Sequence, residues 1–207
     1  AGLVVVGGIK RIAQVTEKVV PFMACAYILG ALVIFVSNIG KIGEVFTSIF
    51  SFAFGFRALG GAAVGLAVKN AVTWGFKRGV FSNEAGLGSS VMVHSASNVV
   101  EPVKQGMWGI FEVFADTIVV CTLTAFSILS TGLIDLHTGE MLSANEQTAL
   151  VSEAFGTVFN FGSVNVGGIF IAIAVLLFAF STVLGWSYYG TKAWEFLFGT
   201  KATIIYK

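Results

Sequence analysis

The sequence predicts an all-α, polytopic transmembrane helical bundle, on three observations. Only 11% of its 207 residues are charged and 56% are apolar, whereas a soluble domain is about one quarter charged. Charge-free runs reach 22 residues between Lys18 and Lys41 and 38 residues from Ala154 to Thr191, enough for the ~20 that cross a hydrocarbon core. One polar stretch, KRGVFSNEAGLGSS at residues 77–90, interrupts this pattern. At bilayer depth such backbone is tolerated only inside protein or beside a watery cavity, so the bundle contains a discontinuous helix.

Taken in order, residues 19–39 form the first span, with Pro21 in its first turn, where a missing N–H costs little. Residues 42–59 crowd five phenylalanines between Glu44 and Arg57, and their charge-free run is too short for a crossing. They are expected to form an interfacial helix. Gly60–Gly61 breaks the chain, and a crossing over 62–95 follows, itself broken near 81–90. Residues 105–132 span again and carry Glu112 and Asp116 one turn apart, on one helical face. The segment 133–153 holds four carboxylates and no Lys or Arg. A glycine-punctuated short helix and turn lead into the last span, 166–187.

Lysine and arginine are held on the cytoplasmic side of short loops. Lys10, Arg11 and Lys18 precede the first span, Lys104 precedes the third, and Lys192, Lys201 and Lys207 follow the last. All fall on one side if 62–95 crosses once, which leaves 133–153 outside. Phe81 to Ser90 then lie within the membrane. Gly86 and Gly88 permit the break, while Ser82, Asn83, Ser89 and Ser90 can satisfy the freed backbone groups. Two half-helix ends of opposite partial charge result, and transporters place substrate sites at such interruptions. Glu84 is expensive at this depth, which points to a coupling or structural role. Arg78 and Lys77 would face the outer vestibule, either forming a gate or simply solvated. A competing arrangement puts the break at Gly60–Gly61 and Lys77–Arg78 in the cytoplasm.

RGVFSNEAGLGS closely resembles the most recognisable motif of the alanine or glycine:cation symporter family, the sodium:alanine symporters. GGIKRIAQVTEKVVPFMA, residues 7–24, is similar to the approach to that family's fifth span. EPVKQG with VFADTIVVCTLTAFSIL resembles its seventh, and LFAFSTVLGWSYYG its eighth. The resemblance implies part of a LeuT-type transporter of two inverted five-helix repeats, with the chain a fragment of about half the protein. It further implies a Na⁺ held by the positions of Ala179, Ser181 and Thr182, where hydroxyls supply the oxygen ligands that hard cations prefer. Hydroxyls in membrane helices also bond back to carbonyls one turn earlier, which is the alternative for Ser181 and Thr182. Phe81, Ser82, Asn83 and Gly86 are the expected substrate contacts, with Thr182 and Trp186 completing the pocket.

Other classes fit poorly. A net charge of +1 offers no footprint for nucleic acid. GLGSS lacks a P-loop lysine, and Val91 stands where a dinucleotide fingerprint needs Gly or Ala. FSNEAG is no nucleophile elbow, so an enzyme is not expected, nor a cofactor or metal cluster. Cys25 and Cys121 fall in apolar runs and are expected to be free, packed thiols. The expected function is Na⁺-coupled symport of alanine or glycine across the cytoplasmic membrane by a multi-pass protein in the lipid bilayer. A passive ion channel and a proton-coupled amino-acid transporter are the competing functions.

Overall fold

The computed structural model describes residues 2–54, 61–162 and 164–206. After a single turn at Gly2–Val5, helix α1 runs Gly8–Ser37 and α2 runs Ile42–Ala53. Helix α3 (Gly61–Phe81) is followed by two four-residue helices, α4 (Glu84–Leu87) and α5 (Val91–His94). Helix α6 spans Pro102–Ser130, and α7 spans Gln147–Gly156. The antiparallel ribbon β1 (Asn160–Phe161) and β2 (Val164–Asn165) pairs Asn160 with Asn165 and Phe161 with Val164. Helix α8 spans Val166–Phe198. The architecture is all-α, and α1, α6 and α8 are long and apolar enough to cross a membrane.

Several boundaries differ from those expected. Helix α1 starts well before the apolar run, so Pro21 sits in its interior rather than its first turn. A cationic first half with no breaker between Lys10 and Lys18 has no reason to stop being helical. The helix expected over 42–59 is present to Ala53; residues 55–59, and Gly60 of the competing break, lie outside the described residues. Residues 147–153, grouped with the polar loop, open α7 instead.

The core forms where α1, α7 and α8 meet. Tyr27, Ala31, Ile34, Phe155, Ile171 and Ala174 cluster there. Tyr27 stacks on Phe155 at 5.8 Å between centroids and meets Phe178 edge-on at 5.9 Å, geometries that suit the ring quadrupoles. A second cluster of Ile12, Leu184 and Tyr188 joins the other ends of α1 and α8. Helix α8 begins at Asn165, whose Oδ1 accepts the Gly168 N–H at 2.8 Å, satisfying one orphan donor of the first turn. The acidic loop is tied down at Asp135, whose Oδ1 accepts the amides of His137 and Thr138 at 2.7 and 3.3 Å. Ser48 of α2 donates to the Leu136 carbonyl at 2.7 Å, and His137 lies 3.3 Å from Glu44. Both cysteines are free, but exposed rather than packed.

Candidate solute and cation site

The long helix α3 ends at Phe81, and Asn83 takes an extended conformation, φ −141° and ψ 158°. Asn83 Oδ1 accepts the Gly86 N–H at 2.6 Å and so caps α4. Its Nδ2 donates to the Gly79 carbonyl at 3.4 Å, one of the acceptors freed at the end of α3. Gly88 closes α4 with φ +77°, the left-handed conformation that glycine adopts without strain. Gly86 serves a different need: a Cβ there would collide with the Val80 carbonyl. Only α3 is long enough to develop an appreciable dipole, since α4 is a single turn. Charge beyond the break must come from side chains.

Those side chains converge on a cavity of about 430 Å³, between α1, α4, α6 and α8. Glu84, Glu112, Ser181, Thr182 and Trp186 line it, with Thr16 on the α1 wall. The Glu84 carboxylate accepts the Ser89 hydroxyl on one oxygen and the Trp186 indole N–H on the other, the latter at 2.8 Å. Helix α8 is thereby joined to α4, just after the break. Ser181 and Thr182 both donate to the Phe178 carbonyl, at 2.8 and 2.9 Å. This is the back-bonding alternative weighed for them, and it spends their protons while leaving hydroxyl lone pairs free to accept.

The break also packs against α6, where Phe114–Cys121 is π-helical. Ser82 Oγ lies 2.8 Å from Thr117 Oγ1, and Asn83 Nδ2 donates to the same oxygen at 3.2 Å. A π segment widens the backbone ring and recurs at functional sites. Glu112 and Asp116 face the break from α6, but in different surroundings. Glu112 lines the smaller cavity, whereas Asp116 lines a second one of about 1070 Å³ together with Arg78, Tyr27 and Thr124. Glu112 does not pair with Lys104, which binds Glu101 at 3.1 Å. His94 has a neighbour in Gln105, whose Nε2 is 2.8 Å from Nδ1.

Of the residues singled out in the sequence, Glu84, Ser181, Thr182 and Trp186 share the smaller cavity. Ser82 and Asn83 sit at the break, bonded to Thr117. Gly86 has a steric task beside Val80. Arg78 lines the larger cavity, with its guanidinium 5.7 Å from the Trp74 ring centroid. Ala179 and Phe81 line neither cavity, and Phe81 is 71% exposed. Thr117 and the π segment went unnoticed, since a β-branched run such as FADTIVVC carries no signature of π geometry.

The sodium:alanine symporter family matches residues 1–207 of the chain. The sodium/alanine symporter AgcS of Methanococcus maripaludis is 44% identical over 210 residues, covering 99% of this chain and 42% of AgcS. An uncharacterized transporter of Bacillus subtilis, YflA, is 41% identical over 100% of the chain and 42% of its own length. A sodium/proton-dependent alanine carrier protein of Bacillus sp. PS3 is 39% identical over 90% of the chain and 42% of its own length. The chain thus spans about two fifths of the curated relatives it matches.

Proposed function

Since the chain belongs to the sodium:alanine symporter family, a family of transporters, we propose that it forms part of a Na⁺-coupled symporter for a small neutral amino acid, alanine or glycine, in the cytoplasmic membrane. The observation that carries this reading is the convergence of Glu84, Ser181, Thr182 and Trp186 on one cavity beside the helix break. Its volume of about 430 Å³ is in the range of small-molecule sites, roughly 300–1,000 Å³. The names of AgcS and the PS3 carrier support sodium and alanine as cargo.

In this mechanism Ser181 and Thr182, with the Ala179 carbonyl, supply oxygen ligands to Na⁺. The hydroxyl protons already point at the Phe178 carbonyl, so their lone pairs are oriented away from it. Ser82, Asn83 and the backbone around Phe81 and Gly86 stand at the break, off the wall of the smaller cavity. In this reading they meet the charged ends of an amino acid that reaches from the cavity to the break. Trp186 closes the cavity while its N–H restrains Glu84. Solute and ion each favour the state in which the break is docked, so filling one site raises affinity at the other.

The test is radiolabelled alanine uptake by the full-length protein in proteoliposomes, with Na⁺, K⁺ and pH gradients imposed separately. Saturable uptake that needs Na⁺ supports the symporter; ohmic current without substrate dependence identifies a channel instead. Thr182→Ala should raise the half-saturating Na⁺ concentration by about tenfold, the equivalent of ~1.4 kcal/mol, with a smaller effect on abundance. An unchanged Na⁺ titration removes Thr182 from the ion site.

A further inference from the structure

Transport through the smaller cavity leaves Asp116 without a task. Its Oδ2 is inaccessible to solvent and has no hydrogen-bond partner among the described residues. The Ser82 hydroxyl lies beside this carboxyl, yet its close contacts are Thr117 Oγ1 at 2.8 Å and the Gly79 carbonyl at 3.3 Å. A carboxylate oxygen that has lost water and gained no donor is heavily penalised. The same side chain also lines a larger cavity, from which a donor can approach the carboxyl.

The cavity of about 1070 Å³ that Asp116 lines is suited to deliver one. Tyr27 stands on its wall, 2.7 Å from Thr124 Oγ1. Thr124 gives its own proton to the Val120 carbonyl at 2.7 Å, so the Tyr27 hydroxyl is the donor of that pair. The tyrosine oxygen therefore keeps its lone pairs for a visiting N–H. Arg78 provides the opposite charge on the same cavity and rests over the Trp74 ring, 5.7 Å from its centroid, a cation–π contact it can exchange for an anion. Gln147, also on the wall, holds φ +52°. A non-glycine residue in that region is uncommon, and such strain gathers at ligand sites.

We propose that the larger cavity is a second amino-acid site, which binds a zwitterionic α-amino acid with its ammonium on Asp116 and the Tyr27 oxygen and its carboxylate on Arg78. An inorganic cation would satisfy Asp116 but would have no use for Arg78 on the same wall. Contact between Ser82 and Thr117 then links occupancy of this cavity to the helix break. The site rests on the amino-acid reading above but uses none of the residues assigned there.

The experiment is equilibrium binding of radiolabelled alanine to the full-length protein in lipid nanodiscs with Na⁺, counted as molecules bound per protein. Two sites are expected in the wild type. Asp116→Asn should remove one of them, and Asp116→Glu should retain it. Arg78→Gln, at an exposed position, should weaken the same site by about tenfold and guards against misfolding of the asparagine variant. Unchanged stoichiometry and affinity in Asp116→Asn and Arg78→Gln would overturn the proposal, as would a shift in Na⁺ half-saturation with alanine stoichiometry intact. A single site, sensitive to Thr182→Ala and indifferent to Asp116→Asn, leaves the symporter standing and removes the second site. Failure of the wild type to bind any alanine sinks both.

Discussion

Replacing Trp186 by Phe removes one hydrogen bond and leaves most of the ring surface in place. The indole N–H donates to Glu84 Oε1 at 2.8 Å, and that contact joins α8 to α4, just after the break. A hydrogen bond to a charged acceptor contributes about 1.5–3 kcal/mol when well shielded. Trp186 is 57% exposed, and exposed charged pairs are worth only ~0.2–1 kcal/mol. The expected contribution is therefore about 1 kcal/mol, or roughly a fivefold change in an equilibrium constant. Glu84→Gln offers the complementary change, since it removes the charge and keeps the shape. The two substitutions and their combination form a double-mutant cycle in the full-length protein, read by half-saturating alanine in Na⁺-driven uptake and by the thermal unfolding midpoint. Coupling of about 1 kcal/mol between the two sites is expected. Strict additivity, within ~0.3 kcal/mol, would refute the link between α8 and the break.

Two further outcomes follow from the same geometry. Gly86→Ala places a Cβ against the Val80 carbonyl; backbone cannot yield as a side-chain tip would, so a loss of about 2 kcal/mol or more is expected, visible as a lower unfolding midpoint and less folded protein. Asp135 accepts the backbone amides of His137 and Thr138, and these hold its carboxyl below the ordinary carboxylate range. With the folded value depressed, the stabilisation is fully present above the unfolded value of about 3.9 and is lost as pH falls through the folded one. Hydrogen exchange at the His137 and Thr138 amides should stay protected from neutral pH down to about 4 and lose protection below it; protection already lost well above that value would contradict the linkage.

How much of this was legible depended on which physics set each feature. Helical class was plain, because charge-free runs of membrane length have few alternatives, and α1, α6 and α8 carry them. The polar residues at 82–90 were visible for the same reason: they were costly where they stood. Their partners were not visible. Asn83 capping Gly86 is local and follows from asparagine chemistry, but Ser82 beside Thr117 joins residues 35 apart, and Trp186 with Glu84 joins residues 102 apart. Contacts of that range depend on how helices cross, which periodicity does not encode. The back-bonding of Ser181 and Thr182 could be weighed in advance because it needs only the preceding turn. The divergence of Glu112 and Asp116 could not. Helical spacing puts them on one face, and it takes the docked break to leave them lining separate cavities.

The distribution of polarity then constrains where a charged solute can travel. Along the outer faces of the long helices the exposed side chains are large and apolar, such as Phe22 at 69% and Leu176 at 68% exposure. In a bilayer these faces cost nothing, since lipid tails are as apolar as they are. A zwitterion at the same depth would lose its hydration with nothing in return. Carboxylates, hydroxyls and the Asn83 amide are instead gathered within reach of one interruption, with Arg78 just before it and Glu84 just after it facing different cavities. The interruption is capped by Asn83, tied to α6 through Thr117 and joined to α8 by the Trp186 indole N–H, bonds each worth about a kcal/mol net. On the symport reading proposed above, coupling requires that bound solute and ion shift the balance of those bonds, and contributions of this size are within reach of their differential binding.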